Sequence, residues 1–260
     1  MSATSLAADL GAALDPVALA RRAGIVPDDW QAEVLRAPER RLLLNCSRQS
    51  GKSTTTAALA THGIIYDPGS LALLVSPSER QSIELLRKVK DTLAALGTAA
   101  DEFEKDNTLG IETTSGSRVV ALPGREDTIR AFSGVRLILI DEASRALDAL
   151  YHAVRPMLAV SGGRLVLLST PFGRRGFFHN EWFHGGAAWR RFAIPASMCP
   201  RIAPEFLAEE RRSLPRDVYR QEYECQFIEA SGSVFDADDL AAMFGAAPGI
   251  VPTSEEYLTL

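Results

Sequence analysis

The residues best suited to chemistry are Gly51-Lys52-Ser53, which follow an apolar segment and precede a segment with helical character. A strand that runs through such a loop into a helix aims backbone N–H groups at an anion, commonly a phosphate. The lysine would neutralise charge on the β- and γ-phosphates, and the serine hydroxyl would bind Mg²⁺. This run therefore predicts a nucleotide triphosphate site, although Cys46 replaces the first glycine of the usual pattern. An exposed turn with a solvated lysine is the alternative.

A second chemical feature is the pair Asp141-Glu142, which ends the apolar run 135–140. A buried parallel strand has this composition, and its carboxyl end faces the ligand crevice of an open sheet. Asp141 would hold Mg²⁺ through water or through the Ser53 hydroxyl, and Glu142 would polarise the water that attacks the γ-phosphate. Two adjacent acids are needed because one serves the metal and the other serves the water. The alternative is a strand that ends in a solvated turn.

These two features belong to a longer pattern of motifs along the chain. It consists of Trp30-Gln31, Ser47-Arg48-Gln49-Ser50-Gly51-Lys52-Ser53, Ile140-Asp141-Glu142-Ala143 and Leu168-Ser169-Thr170-Pro171. The pattern resembles the ATPase domain of the large terminase subunit, the DNA-packaging motor of tailed bacteriophages. The resemblance covers nearly the whole chain and extends to residues 194–197 and 219–227. In that family an arginine inside the phosphate loop is normal and the first glycine is often replaced.

The resemblance implies roles for individual residues in binding nucleotide. Gln31 would read the adenine edge, because a side-chain amide both donates and accepts hydrogen bonds. Ser169 and Thr170 resemble the coupling motif, which senses the γ-phosphate through the attacking water. A solvated surface glutamine and a polar strand end are the alternatives for these positions. The loop residues expected to contact nucleotide are Ser47, Arg48, Gln49, Ser50, Gly51, Lys52, Ser53 and Thr54.

Two arginines join Lys52 and Glu142 as candidate catalytic residues. Arg48 would stabilise transition-state charge within its own site, as a cis arginine finger or a γ-phosphate sensor. Arg130 resembles the arginine that some family members supply in trans to a neighbouring subunit. A surface ion pair is the alternative for Arg130.

Composition sets the broad class of the protein. A chain of 260 residues, 46% of them hydrophobic, can bury one substantial core. The net charge of −5 gives no sign of nucleic-acid binding by the whole chain, so any DNA contact must be a local patch. Cys46, Cys199 and Cys225 have no metal-ligand or disulfide spacing. With no apolar run of membrane length and no signal-peptide pattern, we expect a soluble, cytoplasmic protein.

Strand and helix patterns alternate along the chain, which predicts a mostly parallel, twisted sheet with helices on both faces. The resemblance implies an α/β P-loop NTPase fold of the ASCE type. The predicted strands span residues 42–44, 71–75, 137–140, 165–169 and 189–194, and short antiparallel strands lie within 103–122. The predicted helices span residues 6–14, 16–23, 52–64, 78–96, 145–154, 177–183, 204–214 and 215–224, with another opening at Trp30.

The domain expectation is a helical lead-in at residues 1–29, an ATPase motor domain at 30–230 and a linker at 231–260 toward a nuclease domain that the chain lacks. A hairpin is expected to turn at Ser231-Gly232. The nearby acids Asp236, Asp238 and Asp239 fit a helix cap better than a nuclease site, so we expect no DNA cleavage.

The resemblance implies ATP and Mg²⁺ as cofactors, and double-stranded DNA, a portal protein and a small terminase subunit as partners. It also implies a homo-oligomeric ring during packaging, with a monomer in isolation. Other functions fit the motifs less well. These are a helicase-like ATPase acting on nucleic acid, a small-molecule kinase and a non-catalytic nucleotide switch.

Overall fold

The apolar runs form most of an eight-stranded sheet in the computed structural model, which describes residues 3–229. Its strands are β1 (Arg41–Cys46), β2 (Leu71–Ser76), β3 (Phe103–Asn107), β4 (Gly110–Thr113), β5 (Arg118–Pro123), β6 (Leu137–Asp141), β7 (Arg164–Ser169) and β8 (Arg190–Ile194). Their order across the sheet is β3-β4-β5-β2-β6-β7-β1-β8.

The strands from β5 to β8 in this order pair in parallel, whereas β3 and β4 form an antiparallel edge. The central strands are leucine- and valine-rich and almost fully buried, as strands covered on both faces must be. The mostly parallel sheet is confirmed. Within residues 103–122, β5 differs from the expected antiparallel set, because it also pairs in parallel with β2 and so joins the hairpin to the main sheet.

The helices lie close to their predicted positions. They are α1 (Ala3–Leu14), α2 (Pro16–Arg22), α3 (Asp29–Arg36), α4 (Lys52–Tyr66), α5 (Glu79–Ala95), α6 (Glu126–Ile129), α7 (Asp148–Ser161), α8 (Gly176–His184), α9 (Pro204–Ser213) and α10 (Arg216–Glu224). The helix predicted at 145–154 begins and ends later. Residues 143–145 form a 3₁₀ turn, and the helix continues until Gly162, which adopts the left-handed conformation that ends many helices. Helix α6 is too short to show a periodic pattern.

Each face of the sheet has its own hydrophobic core, because successive strand residues point to opposite sides. Leu42 and Leu44 pack with buried residues of α2, α3, α4 and α5. Leu43 packs on the other face with residues of α6, α7 and α8. The predicted cover of helices on both faces is therefore confirmed. The lead-in helix α2 contributes Val17 and Ala20 to the first of these cores.

Strand β7 lies between β1 and β6, and all three run in parallel. Their carboxyl ends therefore meet at one edge of the sheet, which is where open parallel sheets bind ligands. The loops that follow these strands bring residues 47–51, 142–147 and 170–175 to that edge.

Some expectations fall outside the described residues. These are the hairpin at Ser231-Gly232, the linker 231–260 and the acids Asp236, Asp238 and Asp239. Within residues 3–229, none of the helices combines the length and the apolar character needed to cross a membrane.

Candidate nucleotide site

The phosphate loop connects the end of β1 at Cys46 to the start of α4 at Lys52. Gly51 adopts a left-handed conformation with φ of 92°, which L side chains avoid. A Cβ at this position would also lie 2.8 Å from Nε2 of Gln31. Backbone geometry and close contact therefore both require glycine here. Burial raises the pKa of the Cys46 thiol to about 12, so this residue is a neutral packing group at the end of the strand.

Two pairs of side chains face each other across the sheet edge. The Ser53 hydroxyl donates to Asp141, with Oγ 3.0 Å from Oδ2. The Lys52 ammonium lies 3.4 Å from Oε1 of Glu142. Burial raises the pKa of the Asp141 carboxyl, and the charge of Lys52 opposes that rise. The loop hydroxyl and cation thus each meet one of the two adjacent acids.

Glu142 has an uncommon backbone conformation for a residue other than glycine. Its φ of 52° and ψ of 41° lie in the left-handed region, where strain is typical of functional sites. Besides Lys52, its carboxylate faces Arg145, with Nε 4.0 Å from Oε2. The Arg145 guanidinium in turn stacks 3.8 Å from the ring centre of Phe172. Glu142 is thus held between two cations at the sheet edge.

The end of β7 is tied to the loop that follows β6 through Ser144. The Ser144 hydroxyl lies 2.6 Å from Oγ of Ser169 and donates to the carbonyl of Thr170 at 2.7 Å. The Thr170 hydroxyl also accepts from Nζ of Lys52 at 3.4 Å. Ser169 and Thr170 therefore contact both the phosphate loop and the loop that carries Glu142.

Helix α10 contacts the phosphate loop on its other side. Nε of Arg48 lies 2.5 Å from Oε2 of Glu222, and the Arg48 N–H donates to the Glu222 carbonyl at 3.1 Å. Just beyond the helix, the carbonyl of Cys225 accepts from Nδ2 of Asn45 at 2.8 Å. Both the end of β1 and the loop are therefore anchored to residues 222–225.

Comparison with known proteins agrees with this geometry. Residues 43–242 match the family described as terminase large subunit, T4likevirus-type, N-terminal. The chain belongs to this terminase family. The terminase large subunit of Thermus virus P23-45 is 25% identical over an alignment of 256 residues, covering 84% of this chain and 52% of that protein. This terminase chain thus spans about half the length of that curated relative.

Solved terminase structures share the fold. A mutant of the Thermus Phage P74-26 large terminase ATPase domain matches with a TM-score of 0.71 and 20% identity, covering 80% of this chain and 97% of that one. The large terminase of another thermophilic bacteriophage, solved in complex with ADP, matches with a TM-score of 0.61 and 12% identity, covering 77% of this chain and 54% of that one. The terminase chain therefore has the mixed α/β P-loop fold of the ASCE type.

Gln31 of this terminase chain lies against the phosphate loop. Its Oε1 accepts from the N–H of Asp28 at 2.9 Å, and its Nε2 lies 3.5 Å from the carbonyl of Gly51. The side chain is 5% exposed, so the solvated glutamine considered from sequence is wrong. An adenine-reading role for Gln31 stays a prediction.

Arg130 lies just after α6, with a side chain that is 64% exposed, and forms an ion pair with Glu126. Its recorded contacts among residues 3–229 do not include the phosphate loop. The surface ion pair considered from sequence is therefore present, and the role in trans stays a prediction.

The protein offers only part of a metal coordination shell. Among the residues that the structure describes, no three His, Cys, Asp or Glu side chains come together as a metal site. Ser53 and Asp141 provide two oxygen ligands side by side. Such a sparse set suits Mg²⁺, which usually keeps several waters and takes its remaining ligands from substrate phosphates.

Sequence reasoning missed four residues of this site, namely Ser144, Arg145, Arg201 and Glu222. Ser144 and Arg145 directly follow the Asp141-Glu142 pair, so their nearness to a motif was a usable signal. The other two lie on distant segments, and only the tertiary fold brings them to the loop.

Proposed function

We propose that this chain is the ATP-hydrolysing motor domain of a viral terminase large subunit and powers the translocation of double-stranded DNA into the phage head. One observation carries the proposal. Lys52 and Ser53 of the phosphate loop meet Glu142 and Asp141 respectively, at 3.4 and 3.0 Å. ATP hydrolysis needs these four groups together, since it requires phosphate neutralisation, a metal ligand pair and a base for water.

Backbone N–H groups of the loop and of the first turn of α4 would cradle the phosphates. The loop residues proposed to bind nucleotide are Ser47, Arg48, Gln49, Ser50, Gly51, Lys52, Ser53 and Thr54. On the base side, Gln31 would bind adenine, which requires its amide to leave Gly51 or Asp28. The ADP complex of the thermophilic bacteriophage terminase supports nucleotide binding at a shared fold.

The residues present fit a magnesium ion. The Ser53 hydroxyl and Asp141 carboxylate are adjacent oxygen donors of the kind that Mg²⁺ prefers. When bound there, the ion would place positive charge on the phosphate oxygens. Because burial alone disfavours the charged form of Asp141, a neighbouring cation is needed to keep this carboxylate ionised.

Glu142 would accept the proton of the attacking water, and Lys52 would exchange its contact with Glu142 for the phosphates. Arg48 would stabilise transition-state charge within the same site, after leaving Glu222. Arg130 would do so in the site of a neighbouring subunit, for which its exposed side chain is suited. Ser169 and Thr170 would sense the γ-phosphate and pass the change to the sheet.

We further propose residues 30–230 as the motor domain, 1–29 as its lead-in and 231–260 as a linker. The partners proposed for the whole terminase are DNA, the portal and the small subunit, with subunits assembled as a ring. These proposals rest on family membership and on the share of the relatives that the chain covers.

Phosphate release from ATP tests the proposal directly. The purified chain should hydrolyse ATP in Mg²⁺ and stop when EDTA is added. Ser53→Ala should raise the Mg²⁺ concentration needed for half-maximal rate, whereas Ser213→Ala, at the exposed end of α9, should not. Absence of Mg²⁺-dependent hydrolysis, alone or with DNA and portal, would contradict the assignment.

A further inference from the structure

An arginine far along the sequence holds the phosphate loop from outside. Nη2 of Arg201 donates to the carbonyl of Ser50 at 2.8 Å, although 151 residues separate the two. Nη1 of the same guanidinium donates to Oδ1 of Asp28 at 2.7 Å. Arg201 thus connects the loop to the start of α3.

The contact with Ser50 fixes the direction of a peptide group. The Ser50–Gly51 peptide is trans and planar, so its carbonyl and its N–H point in opposite directions. Because Arg201 holds the carbonyl on the outside of the loop, the Gly51 N–H points to the inside. N–H groups at this place, just before a helix, are the ones that bind phosphate.

Asp28 determines where the guanidinium lies. Its side chain is 12% exposed and stands at the N-terminus of α3, where its position is set by the helix. Arg201 can reach Asp28 and Ser50 together because a guanidinium presents several N–H groups in a fixed plane. A Cβ at Gly51 would lie 3.2 Å from Nη2, so the close approach of Arg201 also depends on that glycine.

We propose that Arg201 is a positioning residue for nucleotide binding: it orients the Gly51 N–H toward phosphate before nucleotide arrives. Its effect on affinity rests on the proposed ATP-binding function, whereas its effect on the loop does not. The residue touches neither phosphate nor the reacting water. Its influence acts through the peptide that it holds.

The test compares Arg201→Met with Arg87→Met, which removes an arginine from an exposed ion pair on α5. The first measurement is hydrogen exchange of the Gly51 amide by NMR in the protein without nucleotide. We expect it to accelerate at least severalfold in Arg201→Met and to stay unchanged in Arg87→Met. The second is the Kd for ATP, which should rise about tenfold in Arg201→Met alone. Arg201→Lys should fall between, since one ammonium cannot hold both partners at these positions.

Loss of Arg201 leaves the Asp28 charge without its partner and could unfold the start of α3. The double variant Asp28→Asn/Arg201→Met removes that charge and keeps a residue suited to the N-cap. It should show the same Gly51 exchange and Kd as Arg201→Met. Unchanged exchange and unchanged Kd in both variants would overturn the proposal. If wild type fails to bind ATP, the proposed function falls, but Gly51 exchange still decides the role of Arg201.

Discussion

The ammonium of Lys52 and the carboxylate of Glu142 lie 3.4 Å apart, so the loop cation and the acid proposed as general base are paired across the sheet edge. Both side chains are mostly buried, at 12% and 24% exposure. A pair of this kind keeps each partner in place until a phosphate competes for the lysine. Changing the acid should therefore free the lysine without disturbing its position.

Glu142→Gln should retain ATP binding but lose turnover by a factor on the order of 10², because only activation of water is removed. Affinity should rise or stay constant, since Lys52 no longer has an anionic competitor. The measurements are phosphate release at saturating ATP and a direct Kd. Glu84→Gln, at an exposed ion pair of α5, is the matched control. Wild-type turnover in Glu142→Gln would show that another group activates the water.

Ser144→Ala should lower kcat about tenfold with little change in KM, because the loop that carries Glu142 loses its tie to β7. The lost hydroxyl contacts Ser169 and the Thr170 carbonyl, so unfolding free energy should fall by about 1 kcal/mol. Steady-state kinetics and urea denaturation check the two effects. Ser213→Ala, which loses a hydroxyl at an exposed helix end, should change neither. An unaltered kcat in Ser144→Ala would leave this contact without a role in turnover.

The two candidate arginines should behave differently in mixtures of subunits. Arg130→Ala mixed with Glu142→Gln should regain part of the ATPase activity, because each subunit supplies what its neighbour lacks. Arg48→Ala mixed with Glu142→Gln should not, because Arg48 belongs to its own loop. ATPase rates of the assembled mixtures, compared with each variant alone, give the readout. The same result from both mixtures would contradict the division into cis and trans roles.

Stability should decrease in mild acid through His62. Burial lowers its pKa, and its Nε2 lies 3.0 Å from the carbonyl of Ala13. A histidine with a lowered folded-state pKa binds more protons when unfolded, so stability falls as the pH drops below the unfolded value of about 6.5. Arginine partners lower the pKa of Asp9 and Asp15, whose stabilising effects are lost only in stronger acid, below about pH 4.

Urea denaturation at about pH 7.5 and about pH 5.5 measures this dependence, since the interval brackets the unfolded histidine value. His62→Gln should reduce the difference between the two conditions. His152→Gln, at an exposed position of α7, should leave it as in wild type. If His62→Gln keeps the full difference, the acid sensitivity arises elsewhere.

Much of the fold was predictable from local patterns. Long apolar strands such as β1 and β6 carry their own signal, and Ser78 with Gln81 forms the capping box that begins α5. The extension of α7 to Ser161 was not predicted, because Pro156 lies inside that helix and usually marks an end. Helix α6 was also missed, since a single turn has no period to detect.

The site was predictable only where its residues are close in sequence. Lys52, Ser53, Asp141 and Glu142 stand in compact motifs, and the structure brings them together. Arg201 and Glu222 follow no motif that names their partners. Their contacts depend on how the chain returns to β1 after β8, which no local pattern encodes.

The long separation between Ser50 and Arg201 also has a consequence for synthesis on the ribosome. Chains grow at about 5–20 residues per second, so the 151 residues between the two take roughly 8–30 s to make. Throughout this interval the nascent chain already contains Lys52 and Ser53, yet the Ser50 carbonyl lacks the arginine that orients it. Nucleotide capture would thus be a late event in the maturation of each subunit, which protects a half-made motor from binding ATP before its loop is complete.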